Sequence, residues 1–191
     1  MALGFYFDSN KCTGCRTCHI ACKDLHNLSV GPVIRWVRNF EVGKFPDVNG
    51  YRYSGSCYHC ANALCIDICP TNAMYRAEDG TVQLNAEQCI NCSVCTFVCP
   101  YNAPQLDEAS GIMVKCDSCK VLRDTGQNPV CVDSCLMRCL EFGDLDELEA
   151  KYGPGLVREL PSLPSANTTE PNVLIKAKPC ALRPDFKEVE I

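Results

Sequence analysis

Cysteine placement constrains this chain more than any other feature. Of its eighteen cysteines, sixteen fall into four groups of four. The first group reads Cys12-x2-Cys15-x2-Cys18-x3-Cys22-Lys23, and the third reads Cys89-x2-Cys92-x2-Cys95-x3-Cys99-Pro100. The second, Cys57-x2-Cys60-x4-Cys65-x3-Cys69-Pro70, carries two extra residues before its third cysteine. The fourth is stretched to Cys116-x2-Cys119-x11-Cys131-x3-Cys135. The pattern is an internal repeat with uneven spacers.

Composition narrows what the repeat can hold. Cysteine is about 9% of the 191 residues, enough to mark a scaffold. Without it the apolar 47% falls to roughly 38%, a thin inventory for a core. The fold therefore needs a staple: disulfides, zinc or iron–sulfur clusters. The opening Met1–Asp8 has no basic n-region and no sustained apolar run, so we expect no secretory signal peptide, which disfavours disulfides. No segment approaches ~18 consecutive apolar residues, so none is expected to span a membrane. The net charge of −5 argues against a nucleic-acid partner.

The spacing selects iron and sulfur. Group three matches the bacterial ferredoxin run for a 4Fe–4S cluster residue for residue, and group one matches except for Lys23 in place of proline. A Cys-x2-Cys-x2-Cys loop wraps three corners of a cubane. The fourth cysteine, on the following helix, points away and ligates the other cluster of a pair. A hairpin signal at Asp79-Gly80 lies between groups two and three and pairs them. One cluster then falls on Cys57, Cys60, Cys65 and Cys99, and a second on Cys89, Cys92, Cys95 and Cys69. Groups one and four pair around them, with clusters on Cys12, Cys15, Cys18 and Cys135 and on Cys116, Cys119, Cys131 and Cys22. Pro70 and Pro100 end their helices and keep the chain clear of the cubane, while Lys23 and Leu136 replace them in the outer pair. Read alone, group four passes for a four-cysteine zinc site; beside three other quartets it reads as iron–sulfur.

The resulting expectation is an α+β fold of two nested ferredoxin-like units with small antiparallel sheets and short helices. Residues 1–49 and 104–143 form the outer unit, 50–103 the inserted unit, and 144–191 a helix and an extended proline-rich tail. Strands are expected at Leu3–Asp8, Val33–Val42, Tyr51–Cys57, Ala73–Arg76, Thr81–Leu84 and Ile112–Val114, with an edge strand at Glu141–Phe142. A helix should run from Arg16 to Asn27. Another should start at an Asp144 cap, with Glu147 three residues on, and end at Gly153. From Pro154 onward lie six of the twelve prolines, predicting an irregular tail whose one strand-like piece is Val173–Ile175.

Several residues fall outside the quartets. Cys139 continues the x3 rhythm of group four and is an alternative to Cys135 as ligand, although spacing favours Cys135 and a buried thiol for Cys139. Cys180 reads as a free thiol. His19 and His59 sit inside groups one and two and read as neighbours of a cluster or surface residues; His26 needs no function. Trp36, between Arg35 and Arg38, reads as a core aromatic flanked by solvated charges rather than a docking patch. There is no glycine-rich nucleotide fingerprint and no nucleophile elbow, so no catalytic residue is assigned.

The order of the four groups, the opening Phe5–Cys15, the segment Cys139–Leu148 and the late Pro161–Pro164 and Pro171–Lys176 region together resemble the iron–sulfur B subunits of dimethyl sulfoxide reductases. The resemblance implies an electron-transfer subunit with four 4Fe–4S clusters and no active site of its own. It would relay electrons between a quinol-oxidising membrane anchor and a molybdopterin-containing catalytic subunit, peripheral to the membrane through its partners. It also implies that the cluster on Cys12, Cys15, Cys18 and Cys135 faces the catalytic subunit. Related B subunits serve formate, polysulfide, tetrathionate and nitrate-type enzymes. A free-standing polyferredoxin and a zinc-stapled interaction protein are the rival readings.

Overall fold

A computed structural model describes residues 2–190. The order is β1 (Leu3–Asp8), α1 (Thr17–Leu25), β2 (Trp36–Val42), β3 (Asn49–Gly55), α2 (Leu64–Asp67), β4 (Met74–Arg76), β5 (Val82–Leu84) and α3 (Val94–Val98). It continues with β6 (Gln105–Asp107), β7 (Ile112–Val114), α4 (Lys120–Asp124), α5 (Val130–Asp133), β8 (Leu140–Asp144), α6 (Leu145–Tyr152), β9 (Val173–Lys176) and β10 (Phe186–Val189). Short helices and small sheets give the expected α+β class. Helix α1 is shorter at both ends than expected, and buries Cys18 and Cys22 four residues apart on one face.

Four small sheets hold these pieces. The hairpins β4–β5 and β6–β7 stand alone, and β2 pairs antiparallel with β3 from Trp36↔Gly55 to Val42↔Asn49. The remaining sheet has the order β8-β1-β9. Strand β8 lies antiparallel to β1 at one edge, with Phe5 opposite Phe142, whereas β9 runs parallel to β1, with Phe5 opposite Val173. The alternation is decisive here: Tyr6 and Leu174 face α6, where they pack with Leu145 and Leu148, and Phe5, Phe7, Val173 and Ile175 face the main core. Asp144 caps α6 as expected, accepting from the N–H groups of Asp146 at 3.0 Å and Glu147 at 3.2 Å.

The C-terminal segment departs from its expectation. Besides β9 it forms β10, which adds to β2 as an antiparallel edge, and Cys180 and Ala181 are buried in the main core. It is not an irregular cover. Proline density is a poor guide here because the prolines sit between the strands: Pro171 precedes β9 and Pro179 opens a 3-10 turn. The Cys57 group also leans on this segment. The N–H groups of Ala61 and Asn62, inside the two-residue expansion of group two, donate to Glu170 O and Thr169 O at 2.9 and 3.0 Å.

Gly4 is where β1 meets its neighbours most tightly. A Cβ there would overlap the backbone oxygen of Asn172 and approach Leu145 Cδ2 to 2.6 Å. Gly4→Ala should destabilise the protein by about 1–3 kcal/mol through overpacking, read as a lower melting temperature. An unchanged value would mean that β9 does not dock where it is described.

Candidate metal centres

Each cysteine group is built on a backbone that coils back on itself. The second residue after the first cysteine is left-handed in all four: Gly14 at φ 77°, His59 at 47°, Asn91 at 56° and Ser118 at 57°. Only glycine adopts this region freely, and asparagine is the next most tolerant. Histidine and serine there carry strain, which concentrates at functional loops. The third residue after the last cysteine is left-handed too in three groups, at Asn72, Asn102 and Arg138. These reversals aim backbone donors at sulfur. The N–H of His59 points to Cys57 Sγ at 3.5 Å, Ser118 to Cys116 at 3.3 Å, Ala103 to Cys99 at 3.5 Å and Cys139 to Cys135 at 3.4 Å.

The loops gather cysteines across groups. One hollow is lined by Cys12, Cys15 and Cys18 from group one, Cys135 from group four, and Cys139. A second is lined by Cys89, Cys92 and Cys95 from group three with Cys69 from group two. The other eight cysteines fall into two sets whose members raise one another's pKa by like-charge repulsion. Burial pushes the Cys22 thiol up to about 12, with Cys131 and Cys119 adding to it. Cys116 is raised well above its usual value by burial and by Cys22. Burial also takes Cys60 and Cys65 up to about 12, with Cys57 and Cys99 adding to both. None of the eighteen cysteines is held in a disulfide. Thiols this basic stay protonated at neutral pH unless a metal displaces the proton, so the donor set, the cysteine-lined hollows and the inward N–H groups fit a thiolate-ligated cluster.

Other candidates have definite places. Cys139 lies 3.4 Å from Cys135 Sγ, and its hydrogen bond with Cys12 brings the Cys12 thiol down to about 7, so five thiols share the first cavity. Cys180 is buried apart from the quartets, its thiol 3.8 Å from Gly50 O. His59 is fully buried. Its Nδ1 accepts from the Val82 N–H at 3.1 Å, and burial and the nearby Lys115 hold its pKa well below the usual imidazole value. His26 approaches Asp117 at 3.6 Å beside Cys119, with ligand atoms of the three within 4.8 Å of one another. His19 lines a groove with Trp36 and Arg38. Lys23, in place of the proline, ties the chain after α1 by donating to Ser29 O and Pro32 O at 2.7 and 2.8 Å.

Two arginines play parts that their sequence context does not announce. Trp36 is half-buried with Arg38 stacked 4.5 Å over its ring, but Arg35 is no solvated flank: it is buried among serine hydroxyls. Its position just before β2 escapes strand alternation, so no periodic signal marks it. Arg123 locks the stretched fourth group. It donates to Ser118 O at 3.0 Å, to Ser118 Oγ at 2.8 Å and to Asp79 on the β4–β5 turn at 2.8 Å.

Comparison with known proteins agrees with this chemistry. A family described as a 4Fe–4S dicluster domain matches residues 48–145. The B subunit of the anaerobic dimethyl sulfoxide reductase of Haemophilus influenzae is 42% identical over 182 residues, covering 91% of this protein and 88% of the relative. That of Escherichia coli K12 is 41% identical, covering 91% and 87%. This protein belongs to the family of dimethyl sulfoxide reductase iron–sulfur B subunits. The protein NrfC of Escherichia coli K12 is more distant, 32% identical over 191 residues and covering 98% and 82%. Membership makes it an iron–sulfur electron-transfer subunit of an oxidoreductase complex. Among the described residues no helix is long and apolar enough to cross a membrane.

The Arg123 bridge should behave as a coupled unit. Arg123→Met and Asp79→Asn are each expected to lower unfolding stability. Their combined loss should fall short of the sum by about 0.5–3 kcal/mol. Strict additivity in denaturant titrations would place the two side chains out of contact.

Proposed function

We propose that this protein carries four 4Fe–4S clusters in series and relays single electrons between a molybdopterin-containing catalytic subunit and a quinol-oxidising membrane anchor. The observation that carries the reading is the exchange of fourth cysteines: Cys135 lines the cavity of group one and Cys69 that of group three. That crossing is how paired ferredoxin clusters are ligated. The sets are Cys12, Cys15, Cys18, Cys135; Cys22, Cys116, Cys119, Cys131; Cys57, Cys60, Cys65, Cys99; and Cys69, Cys89, Cys92, Cys95. Cys139 is kept as a neighbouring thiol. The nested units 1–49 with 104–143 and 50–103 meet along the β2–β3 ribbon, with 144–191 laid across both.

A linear order follows from neighbouring thiols. Cys18 of the first set is raised by burial and, further down, by Cys131 of the second. Cys116 of the second set feels Cys57 of the third, and the short α2, which carries Cys65 and ends just before Cys69, joins the third to the fourth. The exposed cysteines, Cys15 and Cys92, belong to the end sets; the second set is wholly buried, and the third has Cys57 buried with Cys60, Cys65 and Cys99 partly so. Exposed apolar side chains accompany both ends: Leu136 and Met137 beside the first, Ile90 and Phe97 beside the last. Such rims suit docking partners. Bound clusters supply one-electron storage. The protein's own share is to hold them close, exclude water from the middle of the row and leave its ends accessible. With sixteen cysteines committed to holding sulfur and iron, substrate chemistry belongs to the partner.

Serine substitutions test the crossing. Cys69→Ser should disturb the same low-temperature paramagnetic signal as Cys95→Ser, and Cys99→Ser the same signal as Cys57→Ser, each leaving the other signal intact. If Cys69→Ser grouped with Cys57→Ser instead, the exchange of fourth ligands would be wrong.

A further inference from the structure

One deeply buried charge lies outside the ligand sets. Arg35 is 2% exposed, and among the described residues no carboxylate forms an ion pair with it. One terminal nitrogen donates to Ser54 Oγ at 3.2 Å and Ser54 O at 3.5 Å, and the other donates to Ser56 Oγ at 2.9 Å. Its Nε has no partner. The guanidinium carbon sits 4.4 Å over the Phe5 ring. Two hydroxyls, a carbonyl and a ring face do not neutralise a charge taken out of water, and an unpaired buried charge is strongly destabilising.

Sulfur stands beyond these serines: Cys18 Sγ lies 3.4 Å from the Ser54 hydroxyl that Arg35 holds. Burial opposes its charged form, and negative charge on Cys131, Cys18, Cys116 and Cys22, which these sulfurs carry only as metal-bound thiolates, favours it. In return its charge works against burial at Cys18, Cys22, Cys116 and Cys119. Ser54 completes a direct link. Its oxygen accepts from Arg35, and the hydroxyl lies 3.4 Å from Cys18 Sγ, free to donate to it. Cys18 belongs to the first set, and the other cysteines named here belong to the second.

We propose that Arg35 is the shared counter-charge of the two outer clusters, a positioning residue that raises the reduction potential of both. The inference rests on the ligand sets proposed above. When an outer site accepts one electron from a one-electron donor, one negative charge is added, no bond breaks and no proton moves. The fixed positive charge of Arg35 favours that more negative state, and the low local dielectric strengthens the attraction. Because a guanidinium keeps its proton throughout the accessible pH range, the bias does not vary with pH.

Anaerobic redox titration of the whole protein, followed by low-temperature paramagnetic resonance, tests this. Arg35→Gln should make reduction of both outer clusters at least tenfold less favourable, a shift of about −59 mV for a one-electron couple, with the inner pair unmoved. Arg35→Lys keeps the charge and should recover most of the shift. Ser54→Ala cuts the link to Cys18 and should lower the first cluster alone. Four signals with unchanged midpoints in Arg35→Gln would overturn the role, as would equal shifts in the Lys and Gln variants. If Arg35→Gln fails to bind iron, Ser54→Ala decides: a selective downward shift supports the proposal and an unmoved first cluster contradicts it. Fewer than four signals in the unaltered protein would count against the ligand sets, not against Arg35.

Discussion

Sulfur held close to sulfur is the constraint on which the rest of this structure depends. Burial raises thiols such as Cys22, Cys60 and Cys65 so far that each would keep its proton in neutral water. Gathering them four at a time is useful only when a metal replaces those protons, and the metal's binding energy then becomes folding energy. Much else follows from that exchange. The strained left-handed residues at His59 and Ser118, the N–H groups aimed at sulfur and the small sheets all make sense as a frame closed by its cargo. Cysteines are among the main core's buried residues, Cys18, Cys22, Cys57, Cys116, Cys131 and Cys135 included.

The frame has direction. Its exposed thiols, Cys15 and Cys92, lie in different groups, and in the proposed order they give charge two places to enter or leave. The C-terminal segment bears on partners less than its composition suggests. It is engaged within the same polypeptide, through β9 against β1 and β10 against β2, and therefore does not discriminate a bound subunit from a free carrier. The relatives carry that distinction, together with the apolar rims at the two ends.

Much of this is legible in the residues. Fixed cysteine spacing encodes loop geometry almost directly. The Asp79-Gly80 hairpin, the strand at Leu3–Asp8 and the Asp144 cap all rest on local rules that the structure obeys. Long-range pairing is hidden. Nothing local announces that Val173–Lys176 runs parallel to β1, because a strand's partner is chosen by the core face it completes. Phe186–Val189 escapes sequence reasoning for a related reason: its outward Lys187 and Glu188 read as tail, and only its place on the β2 edge makes it a strand. Arg35 reads as solvated because charge usually implies water. Its burial is intelligible only once negative sulfur in groups one and four is taken into account, reached on one side through Ser54 and Cys18.

Native mass spectrometry of the anaerobically purified protein tests the central claim most directly. The account predicts a folded ion heavier than the polypeptide by four cubanes, about sixteen iron and sixteen sulfide in all, lost in steps of one cubane. A mass excess of two cubanes, or of zinc ions, would contradict it.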